Sequence, residues 1–267
     1  MSRFTDVPPD SWYADAVERA ASLGMLTGYP DGTFKPDQAI SRKEMAVILD
    51  RLMFGWHDLI NQIDAAMVTV LSPWGRGSGT HIGDGLILTN HHVVARRKPD
   101  GDWEIPDVLH FWNSTADPNL QLPWVAEAQA TYLFGSSEYD LAVLQRTNYP
   151  SIVLPSVPLA SSNMVRTGEE IIVIGSPYGL IRTVTRGIVS HPARYIDYYD
   201  DGKQTKAILF QTDAPINPGN SGGAAVNRLG HLLGVPSARY TDSDGLGFCI
   251  RIDSVVEFLK AHGIMVG

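Results

Sequence analysis

The stretch from Gln211 to Gly223 reads QTDAPINPGNSGG and ends with a serine set among glycines. A serine in a tight glycine turn packs poorly, but the turn exposes its Oγ and directs successive backbone N–H groups toward one point. Such donors stabilise a developing oxyanion, and removing one costs about 2.7–4 kcal/mol of transition-state stabilisation. The same residues also fit a glycine-rich hairpin turn. Other segments must therefore decide whether Ser221 is a nucleophile.

From Met67 onward the chain alternates short β-rich runs with turns. The runs include GLILT, DLAVLQ, EIIVIG and AILFQT. Their spacing predicts an all-β sandwich or a pair of barrels. A last helix is predicted over Ser254–His262, because Val255, Phe258 and Leu259 share one face at helical spacing.

Two segments before the glycine turn carry residues suited to acid–base chemistry. In GLILTNHHVV, Gly85–Val94, a β run ends at Thr89 and turns into His91 and His92. A histidine at a strand end can act as a general base, since its ordinary pKa of about 6.5 suits neutral pH. The pair could also bind a metal, although no third ligand lies at a usual spacing. Asp140 directly precedes the run LAVLQ, where an acid either caps a turn or orients a histidine through its Nδ1–H.

The order His92, Asp140, Ser221 along the chain is the chymotrypsin-like order and differs from that of subtilisins. The runs ILTNHHVV, DLAVL, IGSPYGLIRTVTRGIVS, QTDAPINPGNSGGAAVN and LGFCIRID resemble the trypsin-like domain of the HtrA (Deg) proteases, over about Met67–Ile264. This resemblance implies a mainly β fold of two six-stranded antiparallel β-barrels and serine endopeptidase activity on unfolded proteins. It selects His92 over His91, because the family's T-N-x-H-V pattern has its catalytic histidine in the fourth position.

The resemblance also implies a role for each residue. Ser221 is the expected nucleophile, His92 carries the proton, and Asp140 holds His92 in the required tautomer. The oxyanion hole is expected at Gly219, Asn220 and Ser221. Asn220 stands where enzymes activated by N-terminal cleavage need an acid. We therefore expect activation by ordering of loops, through substrate or assembly, rather than by cleavage.

The same resemblance places the specificity pocket at Ile216, Val235 and Pro236. Pro215 stands where trypsin would carry an acid, so we expect cleavage after small aliphatic residues and not after Lys or Arg. The segment V-P-S-A-R departs from the family, which has a more apolar stretch there. Pro236 cannot donate a backbone hydrogen bond and Arg239 adds charge, so primary specificity stays open at this stage.

The first fifty residues read as helix, ordered loop and helix. Ala16, Ala20 and Leu23, with Val17 alongside, recur at helical spacing. Ser41 and Glu44 form the capping-box pattern ahead of a second apolar run. The intervening segment, MLTGYPDGTFKPDQAI, contains too many Gly, Pro and Asp residues for a regular element.

Residues 1–54 resemble one S-layer homology repeat. The matching pieces are F-x-D-V, a tryptophan, G-x-x-T-G-Y-x-D-G-T-F-x-P, and S-R-K-E where the family has T-R-A-E. The family anchors proteins to anionic, often pyruvylated, cell-wall polymers, which implies polymer binding by Trp12 and Arg42. An arginine can clamp a carboxylate with two parallel bonds. In the alternative, Trp12 is a core residue and Arg42 a solvated one. Residues 55–66 are predicted to form a helical connector to a protease domain at 67–267.

Composition limits the classes of partner. The 267 residues are 44% hydrophobic and 19% charged, with a net charge of −8. No basic run suggests nucleic acid, no apolar run is long enough to span a membrane, and no cofactor is expected. Cys249, the only cysteine, excludes an intrachain disulfide and is predicted to be a small core residue. Trp103, Trp112 and Trp124 are either core residues or an apolar patch that receives unfolded substrate.

Three interpretations remain open on sequence alone. The chain is a wall-associated serine endopeptidase, a surface-binding protein that has lost catalysis, or an intracellular protease whose N-terminal module serves assembly. Its first residues, MSRFTDVPPD, contain no apolar signal core, so the chain stays in the cytosol or a signal has been removed. S-layer homology repeats usually come in threes and HtrA proteases are typically trimeric, so both resemblances imply a homotrimer. No PDZ domain is expected after the last helix.

Overall fold

The computed structural model describes residues 3–22, 25–113, 128–148, 154–180, 183–195, 206–239 and 245–265. The chain divides into two compact units, Met1–Asn61 and Gln62–Gly267. The helices are α1 (Ala14–Ser22), α2 (Arg42–Asp64), α3 (His91–Val94) and α4 (Ile252–Ala261). The strands are β1 (Met67–Ser72), β2 (Gly75–Gly83), β3 (Leu86–Thr89), β4 (Arg96–Arg97), β5 (Trp103–Glu104), β6 (Leu109–Asn113), β7 (Ala128–Ser136), β8 (Leu141–Asn148), β9 (Glu170–Gly175), β10 (Thr183–Arg194), β11 (Leu209–Thr212), β12 (Ala224–Asn227), β13 (Leu232–Arg239) and β14 (Gly247–Arg251).

The N-terminal unit has a small core of its own. Its buried side chains come from the first turn and from one face of α1: Phe4, Val7, Ala14, Val17 and Ala21. Of the residues at the predicted helical spacing, Val17 is buried, Ala16 is exposed, and Leu23 lies outside the described residues. Alanines at helical spacing mark no face of a helix unless larger apolar residues accompany them, and Val17 is the residue that does so here.

Short hydrogen bonds order the loop between α1 and α2. Both carboxylate oxygens of Asp6 accept backbone N–H groups, from Phe34 at 2.7 Å and from Lys35 at 2.7 Å, which explains the aspartate of the F-x-D-V motif. The predicted capping box is confirmed. The Ser41 N–H donates to Glu44 Oε2 at 2.7 Å, and the Glu44 N–H donates to Ser41 Oγ at 3.3 Å. From there α2 runs without a break to Asp64 and includes most of the segment that the sequence assigned to a separate connector.

The C-terminal unit confirms the two predicted β-barrels. β1, β2, β3, β8, β7 and β6 close the first barrel in that order, and β10, β11, β14, β13, β12 and β9 close the second. Every pairing within the barrels is antiparallel. Strands with alternating or continuous apolar runs fill each interior, with Phe111 fully buried in the first barrel and Phe210 fully buried in the second.

The last helix lies close to its predicted position. α4 buries Val255, Phe258 and Leu259 on one face. Cys249 is fully buried in β14, as predicted for a small core residue, and burial raises the pKa of its thiol. In the part of the chain that the structure describes, no helix combines the length and apolar character needed to cross a membrane.

Candidate active site

The two histidines lie at the end of β3 in different surroundings. His91 is 4% exposed, and its ring meets Trp103 edge-on with the ring centroids 4.5 Å apart. Burial lowers the pKa of His91 and favours its neutral form. The His92 side chain is 39% exposed. Trp103 therefore packs as a half-buried residue, while the Trp112 side chain and Trp124 lie outside the described parts of the structure.

Asp140 occupies the turn that joins β7 to β8 and faces His92. Its backbone φ is +50°, a left-handed conformation that aspartate tolerates better than most residues. Both carboxylate oxygens lie 2.9 Å from His92 Nδ1, and the His92 backbone N–H donates to Oδ1 at 3.1 Å. Asn90 Nδ2 donates to the Asp140 carbonyl at 2.7 Å and ties the turn to the end of β3. The structure thus brings the predicted acid and base into direct contact.

The ionised form of Asp140 is favoured despite its burial. Burial alone would raise the pKa of Asp140, but the positive charge available on His92 and hydrogen bonds from His92 and Ser237 outweigh it. The pKa of Asp140 consequently lies below its ordinary value. A carboxylate that stays charged at neutral pH can orient the imidazole and stabilise the imidazolium form.

Ser237, on β13, is a site residue that the sequence analysis missed. Its Oγ donates to Asp140 Oδ2 at 2.6 Å, and its carbonyl oxygen lies 3.4 Å from Ser221 Oγ. The register of β13 against β14 shifts between Pro236 and Ala238, as expected where a proline interrupts a ladder. The available signal was therefore the proline that the sequence analysis noted, one residue before Ser237.

The glycine turn has the backbone that its sequence predicts. Gly219 has φ +103° and Gly222 has φ +83°. A Cβ on Gly219 would lie 2.6 Å from the Ser176 carbonyl oxygen, so a side chain does not fit there. The buried Asn220 donates its backbone N–H to the Asn217 carbonyl at 2.9 Å, and thereby shapes the turn. Within the described ranges, no group accepts the backbone N–H of Gly219 or Ser221, which leaves both available to a ligand.

A second missed residue, Ser78 on β2, holds this turn against the first barrel. Its backbone N–H donates to the Ser221 carbonyl at 2.8 Å, and its Oγ donates to the Gly219 carbonyl at 2.7 Å. The same Oγ accepts the Ser176 N–H at 2.9 Å. Ser78 and Thr80 are polar residues at fully buried positions of β2, and the sequence alone does not show that these positions are buried. The glycine turn, which carries Ser221 in the second barrel, is therefore held in place by hydrogen bonds from Ser78 in the first barrel.

The predicted pocket residues are all largely buried. Ile216 is 7% exposed, and a Cβ on Gly247 would lie 2.9 Å from its Cδ1. Val235 is fully buried, and the Pro236 carbonyl accepts the Gly222 N–H at 3.1 Å. The isoleucine side chain thus occupies the space that a missing side chain at Gly247 leaves open. Gly247 was not singled out from the sequence.

The predicted polymer-binding residues are exposed. Trp12 is 94% exposed and meets only the edge of Tyr13 among the described rings, at 5.6 Å between centroids. The alternative in which Trp12 is a core residue was therefore wrong. Arg42 is exposed at the first residue of α2. No hydrogen bond, ion pair or ring contact joins it to Trp12 in the described part of the chain.

Two family models match the chain. Residues 77–235 match the trypsin-like peptidase domain, and residues 3–46 match the S-layer homology domain. The first range contains the three predicted triad residues, and the second contains Trp12 and Arg42.

The curated relatives are serine proteases. A probable periplasmic serine endoprotease DegP-like of Pseudomonas savastanoi is 37% identical over 194 residues, 70% of this chain and 35% of the relative. The serine protease Do-like HtrA of Bacillus subtilis is 34% identical over 189 residues, 68% of this chain and 38% of the relative. The chain thus spans little more than a third of the length of these relatives.

Solved structures show the same fold. The serine endoprotease from Yersinia pestis superposes with a TM-score of 0.57 at 28% identity, over 77% of this chain and 65% of that one. The HtrA-type protease AlgW with tripeptide gives a TM-score of 0.60 at 29% identity, over 79% of this chain and 65% of that one.

Proposed function

Because the chain belongs to the trypsin-like peptidase family and its relatives are HtrA-type proteases, we propose that it is a serine endopeptidase that hydrolyses peptide bonds of unfolded proteins. The observation that carries the proposal is the His92–Asp140 pair, in which Nδ1 lies 2.9 Å from both carboxylate oxygens. Ser237 links this pair to Ser221, since it contacts Asp140 through its hydroxyl and Ser221 through its carbonyl.

The proposed chemistry follows from these contacts. Asp140 holds the Nδ1–H of His92, so Nε2 is the nitrogen that accepts the proton of Ser221 Oγ as the oxygen attacks the substrate carbonyl. His92 then returns this proton to the leaving amine, and water repeats the cycle on the acyl-enzyme. The 3.4 Å contact of Ser221 Oγ with the Ser237 carbonyl is long for a hydrogen bond. Rotation of the serine toward His92 therefore costs little free energy.

The oxyanion is proposed to bind two backbone donors. Among the described residues, no group accepts the N–H of Gly219 or Ser221, while the N–H of Asn220 is used inside the turn. Each oxyanion donor contributes about 2.7–4 kcal/mol to transition-state stabilisation in comparable enzymes. The hydrogen bonds from Ser78 hold the turn in this shape without an acid at Asn220. We therefore infer that no N-terminal cleavage is needed to form the hole.

Labelling with a fluorophosphonate probe tests the proposed function. The wild-type chain is expected to be labelled at Ser221 and to degrade casein, and Ser221→Ala to lose both properties. A folded wild-type chain that is neither labelled nor active would support the alternative of a catalytically silent surface-binding protein. Mapping the labelled residue by mass spectrometry separates Ser221 from other reactive serines.

For the pocket, we infer a preference for small aliphatic residues before the scissile bond. The Ile216 side chain fills the space above Gly247. Position 215 is a proline and not an acid, so it cannot attract a basic side chain. A shallow apolar pocket discriminates by size, with roughly 1–3 kcal/mol for each methylene that does not fit.

For the N-terminal module, we propose attachment to an anionic cell-wall polymer at the bacterial surface. The exposed indole of Trp12 and the exposed guanidinium of Arg42 support this role, since arginine binds carboxylates with two parallel bonds. An intracellular protease that uses the module for assembly is the competing location.

We also propose that the chain assembles as a homotrimer. On α2, Met45, Val47 and Leu49 are each more than 40% exposed. The N-terminal unit also has a groove of about 700 Å³ lined by residues between Met25 and Ile48. A module with so small a core gains from association. Sedimentation equilibrium of the full chain at micromolar concentration should give three times the monomer mass, and a monomer would refute the trimer.

A further inference from the structure

Arg76 lies beside the glycine turn and takes no part in the chemistry described above. It is exposed on β2, two residues before Ser78. Its guanidinium lies across the backbone of Gly179, and a Cβ at that glycine would overlap it. Gly179 has φ +79°, so no side chain is expected to compete for this place. The preceding residue, Tyr178, donates its N–H to the Pro218 carbonyl at 2.9 Å. Arg76 therefore lies close to Gly219, because the segment that it contacts at Gly179 is hydrogen-bonded through Tyr178 to Pro218.

Arg76 has no ion-pair partner among the carboxylates that the structure describes. Arg96, on β4, in contrast packs over Trp74 and is paired with Glu104 at 2.7 Å. Tyr178, the residue before Gly179, is 66% exposed. Within the described residues, Arg76 is therefore a cation without an ion pair, close to the turn that carries the nucleophile.

The position of Arg76 relative to the scissile bond follows from the two neighbours of Ser221. On one side lies Ser237 of β13, next to the predicted pocket residue Pro236, whose carbonyl accepts the Gly222 N–H. The acyl half of a substrate must lie on that side, because its last side chain enters the pocket. On the other side lies β2, where Ser78 donates to the Ser221 carbonyl and a Cβ at Gly77 would lie 3.1 Å from that same oxygen. The leaving half must therefore pass over β2.

We propose that Arg76 is a specificity-determining residue that binds a carboxylate on the leaving half of the substrate, one or two residues beyond the scissile bond. The inference rests on the proposed protease function. Two sources could supply the carboxylate: an Asp or Glu side chain, or the C-terminus of a substrate cleaved close to its end. Arginine recognises either group with the same forked geometry.

Matched quenched fluorescent peptides test this subsite. One pair carries Asp or Asn at the first residue after the scissile bond, and a second pair carries them at the second residue, all with amidated C-termini. A third pair is neutral and ends, two residues after the bond, in a free carboxylate or an amide. For each pair the ratio of kcat/KM values is measured at low salt for wild type, Arg76→Gln, Arg76→Glu and the control Arg166→Gln, whose arginine is exposed and paired with Glu169.

For at least one pair, wild type and Arg166→Gln are expected to prefer the carboxylate about two- to fivefold, the range of an exposed ion pair. The ratio should fall to about one in Arg76→Gln, drop below one in Arg76→Glu, and shrink in 1 M salt, where the Debye length is about 3 Å. The pair that responds identifies the source of the carboxylate. Equal ratios in wild type and Arg76→Gln for all pairs would overturn the proposal. Each ratio compares two peptides with one enzyme, so a lost preference can be told apart from a lost activity. If the wild-type enzyme hydrolyses neither peptide of any pair, the protease function and this subsite are both overturned.

Discussion

Replacement of Ser237 by alanine removes one hydrogen bond from the buried carboxylate of Asp140. The lost contact is the 2.6 Å bond from Ser237 Oγ to Asp140 Oδ2, after which Oδ2 keeps only His92 Nδ1 at 2.9 Å. A hydrogen bond to a charged group contributes about 1.5–3 kcal/mol. The Asp140 side chain is only 14% exposed, so water replaces the lost donor poorly.

The consequences for activity and pH have a definite sign. If the whole contribution is lost from the transition state, kcat/KM falls about 10- to 150-fold. The pKa of Asp140 is lowered in the folded protein, so its carboxylate stabilises the fold above the ordinary pKa, and this stabilisation is lost as pH falls through the folded pKa. Removal of a bond that lowers this pKa must raise it. The difference in the free energy of unfolding between wild type and Ser237→Ala should therefore have its full value at pH 7 and decrease at acidic pH.

A double-mutant cycle measures the interaction directly. Activity on a quenched peptide and thermal unfolding at pH 7 are compared for wild type, Ser237→Ala, Asp140→Asn and the double variant. Ser237→Thr, which keeps the hydroxyl, should restore most of the activity, and Ser161→Ala on the surface serves as the control. A coupling free energy near zero, or a wild-type kcat/KM for Ser237→Ala, would show that Ser237 does not support the triad.

Three further predictions follow from the site. His92→Ala should lose turnover on the order of 10⁶-fold, as in a comparable triad, whereas His91→Ala should mainly lose stability, because the His91 ring is buried against a tryptophan. Casein assays measure the turnover and thermal melts measure the stability, and equal losses of turnover in the two variants would contradict the assignment. Ile216→Ala should extend cleavage to larger apolar residues before the scissile bond, since it vacates the space above a glycine; mass-spectrometric maps of cut sites that show mainly Lys or Arg would refute the pocket. Arg42→Ala in the full chain should weaken co-sedimentation with purified cell-wall sacculi, while Arg19→Ala should not; wild-type chain that stays in the supernatant with every wall tested would argue against anchoring.

Some features of this protein are local and could be predicted from sequence. The capping box at Ser41 and Glu44 depends on residues three positions apart, and the turn at Gly219 depends on glycine backbone freedom within a few residues. The β runs carry their own periodicity, and the two barrels followed from motifs in a recognisable order. The family pattern also selected His92 over His91. In the structure, the His92 side chain is exposed and His91 is buried.

Other features arise only when the barrels close. Ser237 and Asp140 are 97 residues apart, and Ser78 and Gly219 are 141 apart, so no local pattern shows which residue either serine contacts. Each depends on the register of a strand: a shift in β13 beside a proline brings Ser237 to Asp140, and the pairing of β2 brings Ser78 to the nucleophile turn. The sequence by itself therefore determined which residues could carry the chemistry, because reactivity and turn geometry are properties of short segments. Only the tertiary structure decided which residues support and surround them, because those contacts depend on long-range strand pairing and burial.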